Sequence, residues 1–378
     1  MLEFDEKEYH SFAKIKVLGL GGGGSNAVNR MINSGMKGIK FFTLNTDAQA
    51  LATSIASQRI QIGSKLTKGL GSGANPEIGR QAALEDRKII KEALKDTDMI
   101  FLTAGLGGGT GTGATPIVAE IAKELNILTI AVVTKPFSFE GRKRAIVAEE
   151  GLKKLADKVD TLICIPNQKL FDVVDKATPI LDAFKVADDV LARGVEGVSD
   201  LVIESGLINL DFADVKTAMS EGGKSLLGVG CGRGKSRAVE AAGAAISSPL
   251  LEYPGIEGAK GVLMNITGGK DLTLFEVKEA STIIYESADR QANIIFGAII
   301  KPQLKEEVKV TIIATGMDEV DPKRIFLPRS SRRAHPNFDT PAYRRGRRER
   351  TSISQDSDFI DEDNLDIPTF LRNKPSRH

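Results

Sequence analysis

Residues 102–116 read LTAGLGGGTGTGATP and follow the apolar run Met99-Ile100-Phe101. Six of the fifteen are glycine, at Gly105, Gly107, Gly108, Gly109, Gly111 and Gly113. Glycine has no side chain to bury and the most conformational entropy to lose on folding, so so dense a run calls for a reason in the backbone itself. An anion site supplies one. Successive N–H groups can line a concavity, and a following helix N-terminus adds donors and a partial positive charge. Thr110 and Thr112 bring hydroxyls to the same stretch, and the helix is expected to begin near Gly113. The setting between a buried strand and an amphipathic helix argues against a merely flexible loop.

The chain is 378 residues long, enough for two domains and a tail, and 41% of it is hydrophobic. A net charge of +1 gives no global signal for nucleic acid. No apolar run approaches the roughly 20 residues of a membrane span, and the first residues lack the order of a signal peptide. The expectation is a cytoplasmic protein. Two cysteines, Cys164 and Cys231, are too few for a disulfide framework. With only His10, His335 and His378 and no Cys/His cluster, neither a zinc site nor a histidine-based triad is expected.

Upstream, Lys14 to Leu20 reads as a strand that runs into GGGGSNAVNRM, where Ala27, Val28, Met31 and Ile32 recur at helical spacing. A strand, a glycine turn and a helix make half of a nucleotide-binding unit. Gly19, Gly21 and Gly24 fit G-x-G-x-x-G, and Asn45-Thr46-Asp47 closes the next strand, 39–44, about where a ribose-binding acid falls in dinucleotide enzymes. None of the glycines in this loop is followed by the Lys-Ser/Thr pair of a Walker A loop. Further strands are expected at 98–103, 127–134 and 161–166, with helices at 76–94, 114–124 and 142–155. Near-continuous apolar strands separated by amphipathic helices imply a parallel sheet covered on both faces. Ligands of such sheets bind beyond the C-terminal strand ends, where the glycine clusters, Pro136 to Glu140 and Asn167-Gln168 all fall.

A long helix is expected over 177–204. After it the pattern changes to strands at 225–231, 261–267, 293–300 and 308–315, with helices near 236–246 and 274–288, which reads as a second, α+β domain. Beyond Asp321 the periodicity ends. Residues 322–350 carry a net charge of +8 and residues 351–378 one of −3. Sequence this polar cannot offset its ordering entropy and is expected to be disordered. The run Arg344 to Arg350 reads as a solvated charge run. One apolar island, Leu365-Asp366-Ile367-Pro368-Thr369-Phe370-Leu371-Arg372, suits a partner-docking peptide.

In order and separation, GGGGSNAVNRM, NTDAQAL, TAGLGGGTGTGATP, TKPFSFEGRKR, NLDFADV and DIPTFLR resemble the FtsZ family, the tubulin-like GTPases of bacterial cell division. The similarity spans Ala13 to Gly316 and the terminal peptide, and it displaces the dinucleotide reading. It implies a Rossmann-like parallel-sheet GTPase domain at 13–176, a central helix at 177–204, an acidic catalytic loop with its following helix at 205–224 and a C-terminal α+β activation domain at 225–316. A flexible segment over 1–12, a disordered linker over 317–364 and a docking peptide over 365–378 complete the expected organisation.

The resemblance also implies roles for individual residues. Gly22, Gly23, Gly24, Ser25 and Asn26 match the first phosphate loop. Gly109, Thr110 and Gly111 match the signature that wraps the β- and γ-phosphates, and Gly73, Ala74 and Asn75 the loop that senses the γ-phosphate. Glu140 and Arg144 match residues at the ribose and phosphates; by spacing alone they read as an i,i+4 surface pair. Asn167 and Asp188 match the guanine readers, with Phe184 stacked on the base. A carboxylate at Asp188 can accept from both N1–H and the 2-amino group of guanine, which adenine cannot offer. Asn209, Asp211 and Asp214 match the catalytic loop, although Asp211 also reads as a helix N-cap and Asp214 as a solvated charge.

The function so implied is assembly-dependent hydrolysis of GTP to GDP and phosphate, with Mg²⁺, by subunits stacked head to tail into a homopolymer. That polymer would form the division ring on the inner face of the cell membrane. The contact with the membrane would be indirect, through adaptor and regulator proteins at Asp366 to Arg372, with no nucleic-acid partner and no metal-ligating residue set. Two alternatives are disfavoured: a nucleotide-dependent tubulin-like scaffold without turnover, against which Asn209, Asp211 and Asp214 argue, and a dinucleotide oxidoreductase, for which neither a nicotinamide site nor a substrate-domain acid/base candidate is found.

Overall fold

The computed structural model describes residues 13–203, 207–208, 210–220, 223–248 and 255–317. The first strand, β1 (Ile15–Leu20), alternates between two cores. Ile15 and Val17 pack with Ala27, Val28 and Met31 on one face, while Leu18 and Leu20 pack with Ile117, Val118 and Ile121 on the other. Burial on both faces is why the strand, Lys16 apart, reads as an apolar run. The strands that follow are β2 (Ile39–Asn45), β3 (Gln58–Gln61), β4 (Met99–Gly105), β5 (Leu128–Lys135) and β6 (Thr161–Pro166). All are parallel, in the order β3-β2-β1-β4-β5-β6. That is the doubly wound order, with its topological switch between β1 and β4.

The helices of this half are α1 (Gly21–Asn33), α2 (Ala48–Ala52), α3 (Ser64–Thr67), α4 (Pro76–Glu85), α5 (Arg87–Leu94), α6 (Thr110–Glu124), α7 (Arg142–Ala156) and α8 (Ile180–Ile203). Core residues of α1 and α8 share one face of the sheet, and those of α4 to α7 share the other. Lys16 is buried within β1, and its Nζ donates to the carbonyls of Ala93 and Lys95 at 2.8 and 2.7 Å, closing the end of α5. Burial pushes the Lys16 ammonium below its ordinary pKa.

Several expectations are corrected. The four glycines after β1 form no turn: they are the first turn of α1, and Gly24 lies so close to the sheet that a Cβ there would meet the Thr103 carbonyl at 2.3 Å. Likewise α6 starts at Thr110, inside the glycine signature, rather than near Gly113. The helix expected over 76–94 breaks at Asp86, whose carboxylate accepts from Gly63 N at 2.7 Å and holds φ −104°, ψ 22°. In α8 the first regular residue is Ile180, since the residue preceding Pro179 is steered away from the helical region.

The second half contributes α9 (Phe212–Met219), β7 (Lys224–Arg233), α10 (Arg237–Ile246), β8 (Gly261–Gly268), α11 (Leu274–Ser287), β9 (Asn293–Ile300) and β10 (Glu307–Met317). Strand β7 continues the sheet through a short parallel contact, Leu162 with Lys224 and Ile163 with Ser225. Its other neighbour is β10, which is antiparallel to β7 and β8; β9 then pairs parallel with β8. Helices α10 and α11 share a third core with these strands. They are tied by the buried Arg237, whose guanidinium donates to Glu276 Oε1 at 2.6 Å and Asp271 Oδ2 at 2.5 Å. Asn209, residues 1–12 and everything from residue 318 on, including the expected linker, the Arg344 to Arg350 run and the docking peptide, lie outside the described residues. Among the described residues no helix is long and apolar enough to cross a membrane.

Candidate nucleotide site

The strand order places a crevice where β1 and β4 part, and the helices that follow these two strands, α1 and α6, both begin there. An open cleft of about 480 Å³ occupies the spot. Neither helix has a side-chain cap: Leu20 and Gly109 stand at the N-cap positions and make no capping bond. The first-turn N–H groups of both therefore remain open. Gly21, Gly22 and Gly23 of α1 and Thr110 and Gly111 of α6 line the cleft. By contrast α2 and α4 are capped by Asp47 and Asn75. Two uncapped helix ends facing one cleft make a strong anion site.

The cleft's other walls come from α8 and from the segments after β5 and β6. Phe184, Ala187, Asp188 and Leu191 line it from α8, Asn167 from the end of β6, and Glu140 and Arg144 from the segment after β5. Phe184 is held edge-on by Phe137, with ring centroids 5.4 Å apart. Asn167 is buried, and its Oδ1 has no partner among the described residues, so it offers an acceptor to a ligand. The Asp188 carboxyl is pushed up to about 7, chiefly by burial and then by the like charge of Asp189. Arg30 partly offsets this while donating to both carboxylate oxygens of Asp189, at 2.5 and 3.1 Å. Arg144 is hydrogen-bonded to Glu140, whose other oxygen accepts from Phe137 N at 2.9 Å. The i,i+4 pair and the cleft wall are thus the same two side chains.

Most residues expected at a nucleotide meet here: Gly22, Gly23, Asn26, Gly73, Ala74, Gly109, Thr110, Gly111, Glu140, Arg144, Asn167, Phe184 and Asp188 all line the cleft. Gly24, Ser25 and Asn75 do not. Gly24, in the first turn of α1, and Ser25 next to it are buried, and Asn75 caps α4 through a bond from Glu77 N at 3.0 Å. Asp47, which the sequence placed at the end of β2 as a candidate ribose-binding acid, lines the cleft as well, whereas Ser72, in a short connection without periodicity, was not signalled.

Asp211 and Asp214 lie elsewhere, exposed at the start of α9 and absent from the cleft wall. Asp211 Oδ1 accepts from Asp214 N at 2.7 Å, so Asp211 is indeed the N-cap of α9. Among the described residues no three His, Cys, Asp or Glu side chains converge as a metal cage.

Comparison with known proteins adds the following. The model of the Tubulin/FtsZ family GTPase domain matches residues 14–175, and that of the FtsZ family C-terminal domain matches residues 223–318. An empty FtsZ dimer from M. jannaschii is similar at 46% identity and a TM-score of 0.78, over 83% of this chain and 93% of that one. CetZ1 from Haloferax volcanii, a GDP-bound monomer, is similar at 21% identity and a TM-score of 0.70, over 82% and 96% of the two chains. CetZ2 from the same organism, a GTPγS-bound protofilament, is similar at 19% and 0.69, over 83% and 96%. At these identities the two CetZ structures speak to the fold alone.

Proposed function

Because this chain belongs to the Tubulin/FtsZ family, we propose that it binds and hydrolyses GTP and polymerises head to tail into the filament of a cell-division ring. The observation that carries the reading is the cleft itself: two uncapped helix N-termini at one side, and the unpaired Asn167 Oδ1 and the Asp188 carboxyl elsewhere on its wall. In this reading the phosphates lie over the first turns of α1 and α6, with Gly22, Gly23, Gly109, Thr110 and Gly111 donating to them. Gly73 and Ala74 close over the terminal phosphate, and Arg144 approaches the phosphate chain while Glu140 meets the ribose. Phe184 stacks on the base, Asp188 accepts from guanine N1–H and the 2-amino group, and Asn167 contributes its amide. Among the described residues no carboxylate cage is found, so Mg²⁺ would be held largely by phosphate oxygens, where it would offset charge on the transferring group.

Hydrolysis joins a water oxygen to the γ-phosphorus as the bond to the β-phosphate oxygen breaks, giving GDP and phosphate. The water-orienting groups in this reading are Asp211 and Asp214 of the adjacent subunit, supported by Asn209. We assign the GTPase domain to 13–176, the central helix to 177–204, the catalytic loop and its helix to 205–224 and the activation domain to 225–316. The peptide Asp366 to Arg372, tethered by 317–364, would dock adaptors that bring the filament to the membrane at the division site.

Light scattering and phosphate release, recorded together after adding GTP and Mg²⁺, test nucleotide, assembly and catalysis at once. Scattering without phosphate release would favour a scaffold without turnover, and neither signal would remove the reading. Removing the last dozen residues should leave both signals intact while abolishing adaptor-dependent recruitment to vesicles; a truncated chain that no longer polymerises would refute the docking role.

A further inference from the structure

Three buried hydroxyls meet behind the α6 end of the cleft. Thr110 Oγ1, on the first turn of α6, lies 2.6 Å from Thr46 Oγ1 and 3.1 Å from Ser72 Oγ. All three residues are buried, and Thr110 and Ser72 also line the cleft. Thr46 follows β2, whereas Ser72 belongs to the connection between α3 and α4. Its neighbours Gly71 and Gly73 have φ of +85° and +58°, so the loop turns sharply on either side of it. Ser72 is pressed against the glycine signature: a Cβ at Gly109 would lie 2.2 Å from its Oγ. Backbone bonds hold the rest of the loop, Gly71 N to Thr46 O at 3.3 Å and Asn75 N to Ser72 O at 3.0 Å. The Ser72 hydroxyl is a side-chain link from this loop to α6.

Each hydroxyl carries one proton and two acceptor lone pairs. When Thr110 donates to a neighbouring hydroxyl, its proton is spent inside the protein. When Thr46 and Ser72 both donate to Thr110, its proton is released towards the cleft. An anionic oxygen there selects the second arrangement, because a charge-assisted hydrogen bond is stronger than a neutral one and two upstream donors polarise it further.

We propose that Ser72 is a positioning residue for the nucleotide: by donating to Thr110 it turns the Thr110 proton onto a phosphate oxygen, and through the same bond it ties its loop to that phosphate. The proposal rests on the reading of the cleft as a GTP site.

The test is a double-mutant cycle on the full chain with Mg²⁺, titrating guanosine, GMP, GDP and GTP into wild type, Ser72→Ala, Thr110→Val and the double variant. Ser72→Ala should lose roughly fivefold in affinity, the worth of one neutral hydrogen bond. The loss should be absent for guanosine, enter at one step of the phosphate series and persist from there on. On the Thr110→Val background it should vanish, since the relay is already cut. A loss equal for all four ligands, or one undiminished beside Thr110→Val, would mark Ser72 as merely structural and overturn the proposal. Wild-type binding with an unaltered series in Ser72→Ala would overturn the relay alone, whereas a wild type that binds none of the four would bring down the GTP reading itself.

Discussion

Asp188 presents the cleft with a carboxyl that the protein resists ionising. Its pKa is pushed from 3.8 to about 7 by burial and by Asp189, and Arg30 only partly restores it. Guanine donors favour the ionised form, so binding a guanine nucleotide should expel a proton. Affinity should therefore rise as pH climbs from about 5 to 7 and level off above, which calorimetry in buffers of different ionisation enthalpy would detect. The stability of the empty protein should run the other way. Between the unfolded pKa and the folded one, the native state holds the extra proton, so stability falls with rising pH across about 4 to 7. Asp188→Asn should flatten both slopes. It should also weaken GTP roughly ten- to hundredfold, the worth of hydrogen bonds to a charged acceptor, and narrow the preference over inosine triphosphate, which lacks the 2-amino group. An unchanged guanine preference in a competition titration would remove Asp188 from the base site. A carboxylate matching the guanine reader was legible in the sequence; its raised pKa was not, because it depends on packing around α8.

Element packing shows the same division more sharply. In β7 every second residue from Gly228 to Gly232 is glycine, and this face receives α10 directly: a Cβ on Gly228, Gly230 or Gly232 would meet a carbonyl oxygen of the helix at 2.1, 2.0 and 2.0 Å. Gly230→Ala should therefore force α10 off the strand and cost about 1–3 kcal/mol, as overpacking does. Gly243 of α10 has nothing within 4 Å of a Cβ, and Gly243→Ala should stabilise by up to about 1 kcal/mol. Denaturant unfolding of the two variants reads both signs, and destabilisation by Gly243→Ala or neutrality of Gly230→Ala would contradict this packing. The strand was visible in the sequence, but its alternating glycines meant nothing until a helix lay on them. Local periodicity likewise located β1, β2, β4, β5 and β6 to within two residues. It missed β3, α2 and α3, which are four or five residues long and carry no repeat. It ran α4 and α5 together because the break at Asp86 is fixed by Gly63, 23 residues away in the chain. It also read the glycines after β1 as a turn, where close approach to the sheet lets them open α1 as helix, and began α6 three residues late; Gly107 to Gly109 do turn between β4 and α6.

For the whole molecule the decisive quantity is the separation between the cleft and the acidic loop. The wall of the cleft reaches along α8 as far as Leu191, and the helix continues to Ile203. Those twelve further residues carry the chain about 18 Å away at 1.5 Å per residue, and Asp211 and Asp214 come later still, exposed at the head of α9. Neither acid lines the cleft, so in the proposed reading the water at one subunit's phosphates is oriented from the neighbouring subunit. Stacking head to tail would bring the loop of one subunit to the nucleotide of the next, and a heterologous contact that does not close on itself generates a filament. The N-cap bond does not compete with this role. It engages one oxygen of Asp211 and leaves the other, and the whole Asp214 carboxylate, at the surface. Turnover per subunit should accordingly be negligible below a critical concentration and rise steeply above it. Asp214→Ala should bind GTP as tightly as wild type, enter mixed filaments and depress the hydrolysis of the wild-type subunits it abuts, so that activity falls faster than the wild-type fraction. Phosphate release measured across a series of mixing ratios and total concentrations distinguishes the cases. A per-subunit rate that stays constant down to dilute monomer, or full turnover by Asp214→Ala alone, would place the water-orienting groups inside one subunit and end the shared-site mechanism while leaving the GTP cleft untouched.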